Sequence, residues 1–102
     1  MTIGISSKSG NKGSIRLTCR FDFNCIREFK TLYEPLLNDA SVTAIEVNMS
    51  GVEYVDSSAL GMLLALRDKA KGLRKQVTLN ECRGVPRQVL EVANFDQLFE
   101  IT

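Results

Sequence analysis

The sequence predicts an α/β fold: a mixed sheet in the order β-β-α-β-α-β-α-β, covered by helices. Three observations carry this prediction. Short β-branched runs alternate with segments whose apolar residues recur every three or four positions. The first two β runs follow one another across a Gly-rich turn, as in a hairpin, and the later ones alternate with helices, as in parallel βα units with right-handed crossovers. No linker, repeat or low-complexity stretch interrupts the pattern, so one domain is expected over residues 1–102.

The hairpin is read from Ile3 to Ser6 and from Ser14 to Cys19, joined by Ser9, Gly10, Asn11, Lys12 and Gly13. Ile15, Leu17 and Cys19 alternate with Arg16, Thr18 and Arg20, the period of a strand with one wet face. From Asn24 to about Asn38, Ile26, Phe29, Leu32, Tyr33, Leu36 and Leu37 recur at helical spacing. Pro35 removes an amide there, and a kink near Leu32 or a second short helix is expected. Ser41 to Met49 is nearly continuous in apolar and β-branched residues, as in a central buried strand. A turn at Asn48 to Gly51 and an extended Val52 to Val55 follow, then a helix from Ser57 to about Leu73. On it Ala59, Met62, Leu63, Leu66, Ala70 and Leu73 share a face for docking on the sheet. Gln76 to Asn80 is a short strand. Pro86 marks a helix start, with Val89, Leu90, Val92 and Ala93 as its apolar side. Leu98, Phe99 and Ile101 form the last strand.

A chain of 102 residues leaves about a third of its unfolded-state surface wet after folding, so function is expected on the surface rather than in a deep cavity. The chain contains no His, which removes histidine acid/base catalysis, Ser-His and Cys-His relays and histidine metal sites. No acid has a basic catalytic partner at a telling spacing; Asp22 and Asp56 form a carboxylate pair only by conjecture, so no catalytic residue, metal site or cofactor site is assigned. Thirteen Lys and Arg against twelve Asp and Glu give a net charge of +1, too weak a field for a dedicated nucleic-acid binder. The N-terminus lacks the pattern of a signal peptide, no stretch approaches a membrane span, and a cytoplasmic protein is expected. Cys19, Cys25 and Cys82 have no Cys-x-x-Cys spacing and are expected to be reduced and partly buried.

One segment says more. In Tyr54-Val-Asp56-Ser57-Ser58-Ala59-Leu60-Gly61, an acid and two serines stand where an extended segment turns into a helix. The plain reading is a helix cap. The sharper reading is a phosphorylation site, because a phosphate in the first helical turn meets unpaired amides and the positive end of the dipole. Leu60 and Leu64 fall outside the docking face and form a stripe with Arg67 and Lys71, which serves either packing under a neighbouring helix or contact with a partner. The run Arg67 to Lys75 carries five positive charges and one negative. It reads as a solvated helix end; without interleaved aromatics, nucleic-acid binding is the poorer use.

These residues resemble a STAS domain of the anti-anti-sigma factor type over about Ser14 to Ile101. The likeness rests on Ile15-Arg-Leu-Thr18 followed by Asp22, on Ala44-Ile-Glu-Val47, and above all on Val55-Asp-Ser-Ser58 followed by Leu60-Gly61. The resemblance implies a non-enzymatic module that binds an anti-sigma factor with serine-kinase activity and is released on phosphorylation of the second serine, here Ser58. Ser57 is the fallback acceptor, and a metal-dependent serine phosphatase would reset the switch. Asp22 and Asp56 are carried over as neighbours of the phosphosite; Ser57, Ala59, Leu60, Gly61 and Leu64 complete the expected partner surface. Direct membrane insertion and nucleic acid are not implied. The chain departs from the family in Ala59, where Gly is usual, and in Cys25, where a capping Thr is common and Asn24 would take over. Ending at Thr102, it is expected to lack or shorten a C-terminal helix that many relatives carry. Two other uses of the same surface stay open: an unphosphorylated STAS subunit that clamps the ATPase of an ABC-type membrane transport complex, and a phospho-switch on a signalling enzyme such as a diguanylate cyclase.

Overall fold

The turn residues after Ser9 close the hairpin tightly: β1 (Gly4–Ser9) and β2 (Lys12–Phe21) pair antiparallel with Ser9 opposite Lys12. The computed structural model describes residues 4–21 and 23–102, so Ile3 and Asp22 lie outside the described residues. Helix α1 (Ile26–Asn38) follows a 3-10 turn at Phe23–Cys25 and leads to β3 (Ala44–Val55). Then come α2 (Ser57–Gly72), β4 (Gln76–Asn80), α3 (Gly84–Val92), a 3-10 turn at Phe95–Gln97 and β5 (Glu100–Ile101). The predicted order of strands and helices is therefore observed.

The sheet runs β1-β2-β3-β4-β5, antiparallel at the hairpin and parallel beyond it. When strand order equals chain order, right-handed crossovers carry successive helices to the same face. The burial pattern agrees. Ile15, Leu17, Ile45, Val47 and Leu79 are sealed into the core, while the alternating Ser14, Arg16, Glu46, Asn48 and Thr78 keep contact with solvent. The core continues through Phe29, Tyr33, Leu36 and Leu37 of α1 and Met62, Leu63, Leu66 and Ala70 of α2. Phe21, Phe29 and Tyr33 meet edge to face.

Several local expectations are corrected. No second helix starts at Pro35: α1 runs through it, because the exposed ring sits near the helix end while Leu36 and Leu37 are pinned in the core. Asn48 to Gly51 is no turn: β3 is continuous, and its pairing with β2 slips at two places, between Arg16 and Thr18 and between Cys19 and Arg20. A Cβ on Gly51 would lie 2.8 Å from the Leu17 carbonyl oxygen, so glycine answers close backbone approach there. α3 starts two residues before Pro86, since the first turn tolerates a missing amide; it buries Pro86 and Leu90 and leaves Val92 exposed. α2 ends at Gly72, within its expected bounds, but Leu73, expected on the docking face, is exposed at the C-cap. The last strand is short: Phe99 is buried ahead of it and Leu98 is exposed.

Candidate functional site

β3 ends on the buried Val55, and the next residue changes the backbone from strand to helix. Asp56 is extended at φ −107° and ψ −179° and is the N-cap of α2. Its carboxylate accepts from the Ala59 amide at 2.8 Å, and its carbonyl accepts the first helical bond from Leu60 at 3.2 Å. Its own amide donates to the Phe21 carbonyl at 3.4 Å, fastening the start of α2 to the end of β2. A helix start leaves about four amides unsatisfied. Here Asp56 answers the Ala59 donor, so the amides left without a protein acceptor among the described residues are those of Ser57 and Ser58. The plain cap and an anion-receptive turn thus coexist at one point.

Ser57 is exposed and Ser58 half-buried, and neither hydroxyl has a hydrogen-bond partner among the described residues. Gly61 is exposed one turn on, where a Cβ would meet nothing within 4 Å. Leu60 and Leu64 are half-buried: each packs against the core and keeps part of its surface open. Ala59 has no exposed surface; its methyl belongs to the core rather than to the outer face of the turn. Asp22, the other expected neighbour, lies outside the described residues. The N-cap of α1 falls on Cys25, not Asn24, and the buried Cys25 makes no side-chain cap.

The basic run resolves into separate tasks, several of them invisible in the sequence. Lys75 Nζ donates to three carbonyls, those of Leu36 at 3.3 Å, Asp39 at 2.6 Å and Val42 at 2.7 Å, closing the C-terminal end of α1. Arg67 Nε donates to the Leu98 carbonyl at 2.9 Å. Lys69 donates to the Tyr33 hydroxyl at 3.4 Å and stands 5.5 Å over its ring. The side chains of Lys71 and Arg74 have no partner among the described residues. Near the same end, Lys8 at 2.9 Å and the hydroxyl and amide of Ser41 hold the Asp39 carboxyl well below the usual carboxylate range. Cys25 and Cys82 are buried in the core, and burial pushes the Cys82 thiol up to about 11. No helix among the described residues is long and apolar enough to cross a membrane.

Comparison with known proteins places this geometry. The family model described as "Mlab, STAS domain" matches residues 6–100. A STAS-domain-containing protein of Pseudomonas aeruginosa (strain UCBPP-PA14) is 38% identical over 98 residues, covering 96% of this chain and 95% of that protein. Among solved structures, a STAS-domain anti-sigma-factor antagonist protein of Planctomyces limnophilus superposes with a TM-score of 0.85 at 15% identity, over 100% of this chain and 90% of that one. The unphosphorylated anti-sigma factor antagonist SpoIIAA gives 0.81 at 16% identity over 97% and 87% of the two chains. Its phosphorylated form from Bacillus gives 0.74 at 16% over 97% and 90%. At such identities the structural likeness shows the fold, and with the family match over nearly the whole length the conclusion is plain: the chain belongs to the STAS-domain family.

Proposed function

We propose that this protein is an anti-sigma factor antagonist that switches partners by phosphorylation at Ser58. Unmodified, the start of α2 and the surface around Gly61, Leu60 and Leu64 bind a cytoplasmic anti-sigma factor with serine-kinase activity. A phosphate on Ser58 ends that contact, and a metal-dependent serine phosphatase restores it. The observation that carries the reading is the turn itself: two neighbouring hydroxyls without partners, beside two open amides, at a helix N-terminus already capped by Asp56. A phosphate there brings about −1.5 to −2 charges next to the Asp56 carboxylate. The open amides and the helix dipole stabilise the anion, so the fold survives while the outer face becomes strongly negative and bulkier. That solved SpoIIAA structures include an unphosphorylated and a phosphorylated form supports the same reading for a chain of this fold.

Incubation with the cognate kinase and ATP, followed by intact mass and fragment mass spectrometry, should place one phosphate on Ser58. Phosphate on Ser57 instead would move the switch by one residue, and none on either would refute it. Ser58→Asp is expected to weaken kinase binding by about tenfold or more through charge alone, while Ser58→Ala keeps wild-type affinity. Equal affinities for the two variants, or copurification with a membrane ATPase and no kinase, would overturn the proposal.

A further inference from the structure

Among the described residues, three other than glycine hold a positive φ: Arg74 at 59°, Glu81 at 57° and Asn94 at 61°. Asparagine tolerates this region, and the Glu81 carboxylate is held by Arg83. Neither explanation covers Arg74. It stands just past the end of α2, where glycine sits without cost, and its guanidinium has no partner among the described residues. Strained backbone of this kind recurs where side chains clamp ligands.

Arg74 lines a cleft of about 450 Å³ at the foot of the sheet, where α1 ends, β3 begins and α2 passes into β4. That volume lies in the range of ligand pockets, roughly 300 to 1,000 Å³. Leu37, Ala40, Val42 and Leu73 supply the apolar surface, and Leu73 is 52% exposed. Lys75 also lines the cleft, but its ammonium is engaged by the carbonyls of Leu36, Asp39 and Val42, so it adds charge without a free donor. The amides of Val42, Thr43, Leu73, Arg74 and Lys75 all donate within the chain. Donors remain on the Arg74 guanidinium and on the Asn38 carboxamide, which has no partner among the described residues.

No acidic side chain is among the lining residues. The adjacent Asp39 carboxylate is held by Lys8 and Ser41. Neighbouring clefts differ in this respect: between α1 and α2, Glu34 and Asp68 balance Lys30 and Lys69, and along β4, Glu100 stands among the bases.

We infer that this cleft binds a small amphipathic monocarboxylate, of the class of a medium-chain fatty acid. The carboxylate takes two parallel N–H bonds from the Arg74 guanidinium, a planar acceptor on a planar fork. The hydrocarbon tail lies on the apolar residues, and the Lys75 charge adds attraction. One free fork suits one negative charge. A phosphomonoester, with about two charges and three acceptor oxygens, finds too few donors here. An alkylammonium is repelled. The 16 residues of α2 put the Ser58 turn about 24 Å away, so this site is separate from the proposed switch.

Titration of the isotope-labelled full chain with sodium octanoate near neutral pH, followed by two-dimensional NMR, tests this. The amides of Val42, Thr43, Leu73, Arg74 and Lys75 should shift saturably, with a dissociation constant on the order of 1 mM or below, while those of Ser57 and Ser58 stay in place. Octylamine and octyl phosphate should bind about fivefold more weakly or worse, and acetate, which has no tail, about tenfold. Arg74→Gly should weaken octanoate binding about tenfold or more, and Arg74→Lys, which keeps the charge but not the fork, about threefold. Leu73→Asp should cost about tenfold. Both positions are exposed, and the dispersion of each spectrum confirms that the variant is folded. Absence of saturable shifts, shifts centred on another surface, or an affinity indifferent to Arg74→Gly overturns the inference. Octylamine or octyl phosphate binding as tightly as octanoate overturns it too. Phosphorylation at Ser58 is read at the other end of α2, so the two experiments fail independently.

Discussion

The two ends of α2 solve the same problem in opposite ways. At the N-terminus one side chain from the adjoining residue, Asp56, satisfies one amide and leaves the Ser57 and Ser58 donors open. At the C-terminus the amides of Arg74 and Lys75 turn back to the carbonyls of Lys71 and Ala70, and the Lys75 ammonium then reaches across to α1. One end keeps hydrogen-bonding capacity in reserve; the other spends it on joining elements distant in sequence. Under the proposed switch the modified end must stay locally unsatisfied beforehand, whereas an end that holds the fold together must not.

The comparison can be broken most forcefully at Lys75. Lys75→Met keeps the aliphatic stem but strands three carbonyls, and a loss of about 2–3 kcal/mol in urea unfolding is expected. A loss below about 0.5 kcal/mol would mean that water replaces the ammonium and that the two ends do not differ in kind. Asp56→Ala should cost about 1 kcal/mol, the ordinary worth of an N-cap. It should also change kinase binding more than Ser57→Ala does, because it frees a third amide and removes a charge. At the opposite end, Arg74→Gly should stabilise the fold by about 1 kcal/mol, since the left-handed backbone there suits glycine. A destabilised Arg74→Gly would show that the arginine has an intramolecular partner after all.

The smallest effect concerns acid. The Asp39 carboxyl is held low by Lys8 and Ser41, so the folded state binds its proton less readily than the unfolded chain. Its contribution to stability is present above the unfolded pKa of about 3.9 and is lost as pH falls through the lower folded value. Asp39→Asn should therefore lower stability slightly near neutrality and flatten the acid limb below about pH 4, where the variant and the wild type converge. Both partners are well exposed, so the difference should be small and should shrink further in salt.

What the sequence disclosed was local. The alternation of Ile15, Leu17 and Cys19 and the helical spacing from Ala59 to Ala70 are properties of neighbours, and the strands and helices they imply are observed. The Asp56 cap is legible for the same reason, its acceptor and donor being three residues apart. Gly51 read as a turn residue because the carbonyl that forbids a side chain there belongs to Leu17 on another strand. Lys75 read as part of a solvated charge run because its acceptors lie 33 to 39 positions away. Val92 fits a helical apolar face, but α3 is short and packs through Pro86 and Leu90 instead. Periodicity says which residues prefer company, not which of them find it.

Because the strands stand side by side in the order in which they occur along the chain, each new strand adds to an edge that already exists. Pairing of β3 with β2 needs nothing beyond Val55, and the bond from Asp56 to Phe21 forms with it. Everything that frames the serine turn through the backbone, from the end of β2 through β3 to the first turn of α2, is therefore encoded before β4 begins, so that its geometry belongs to the older half of the molecule.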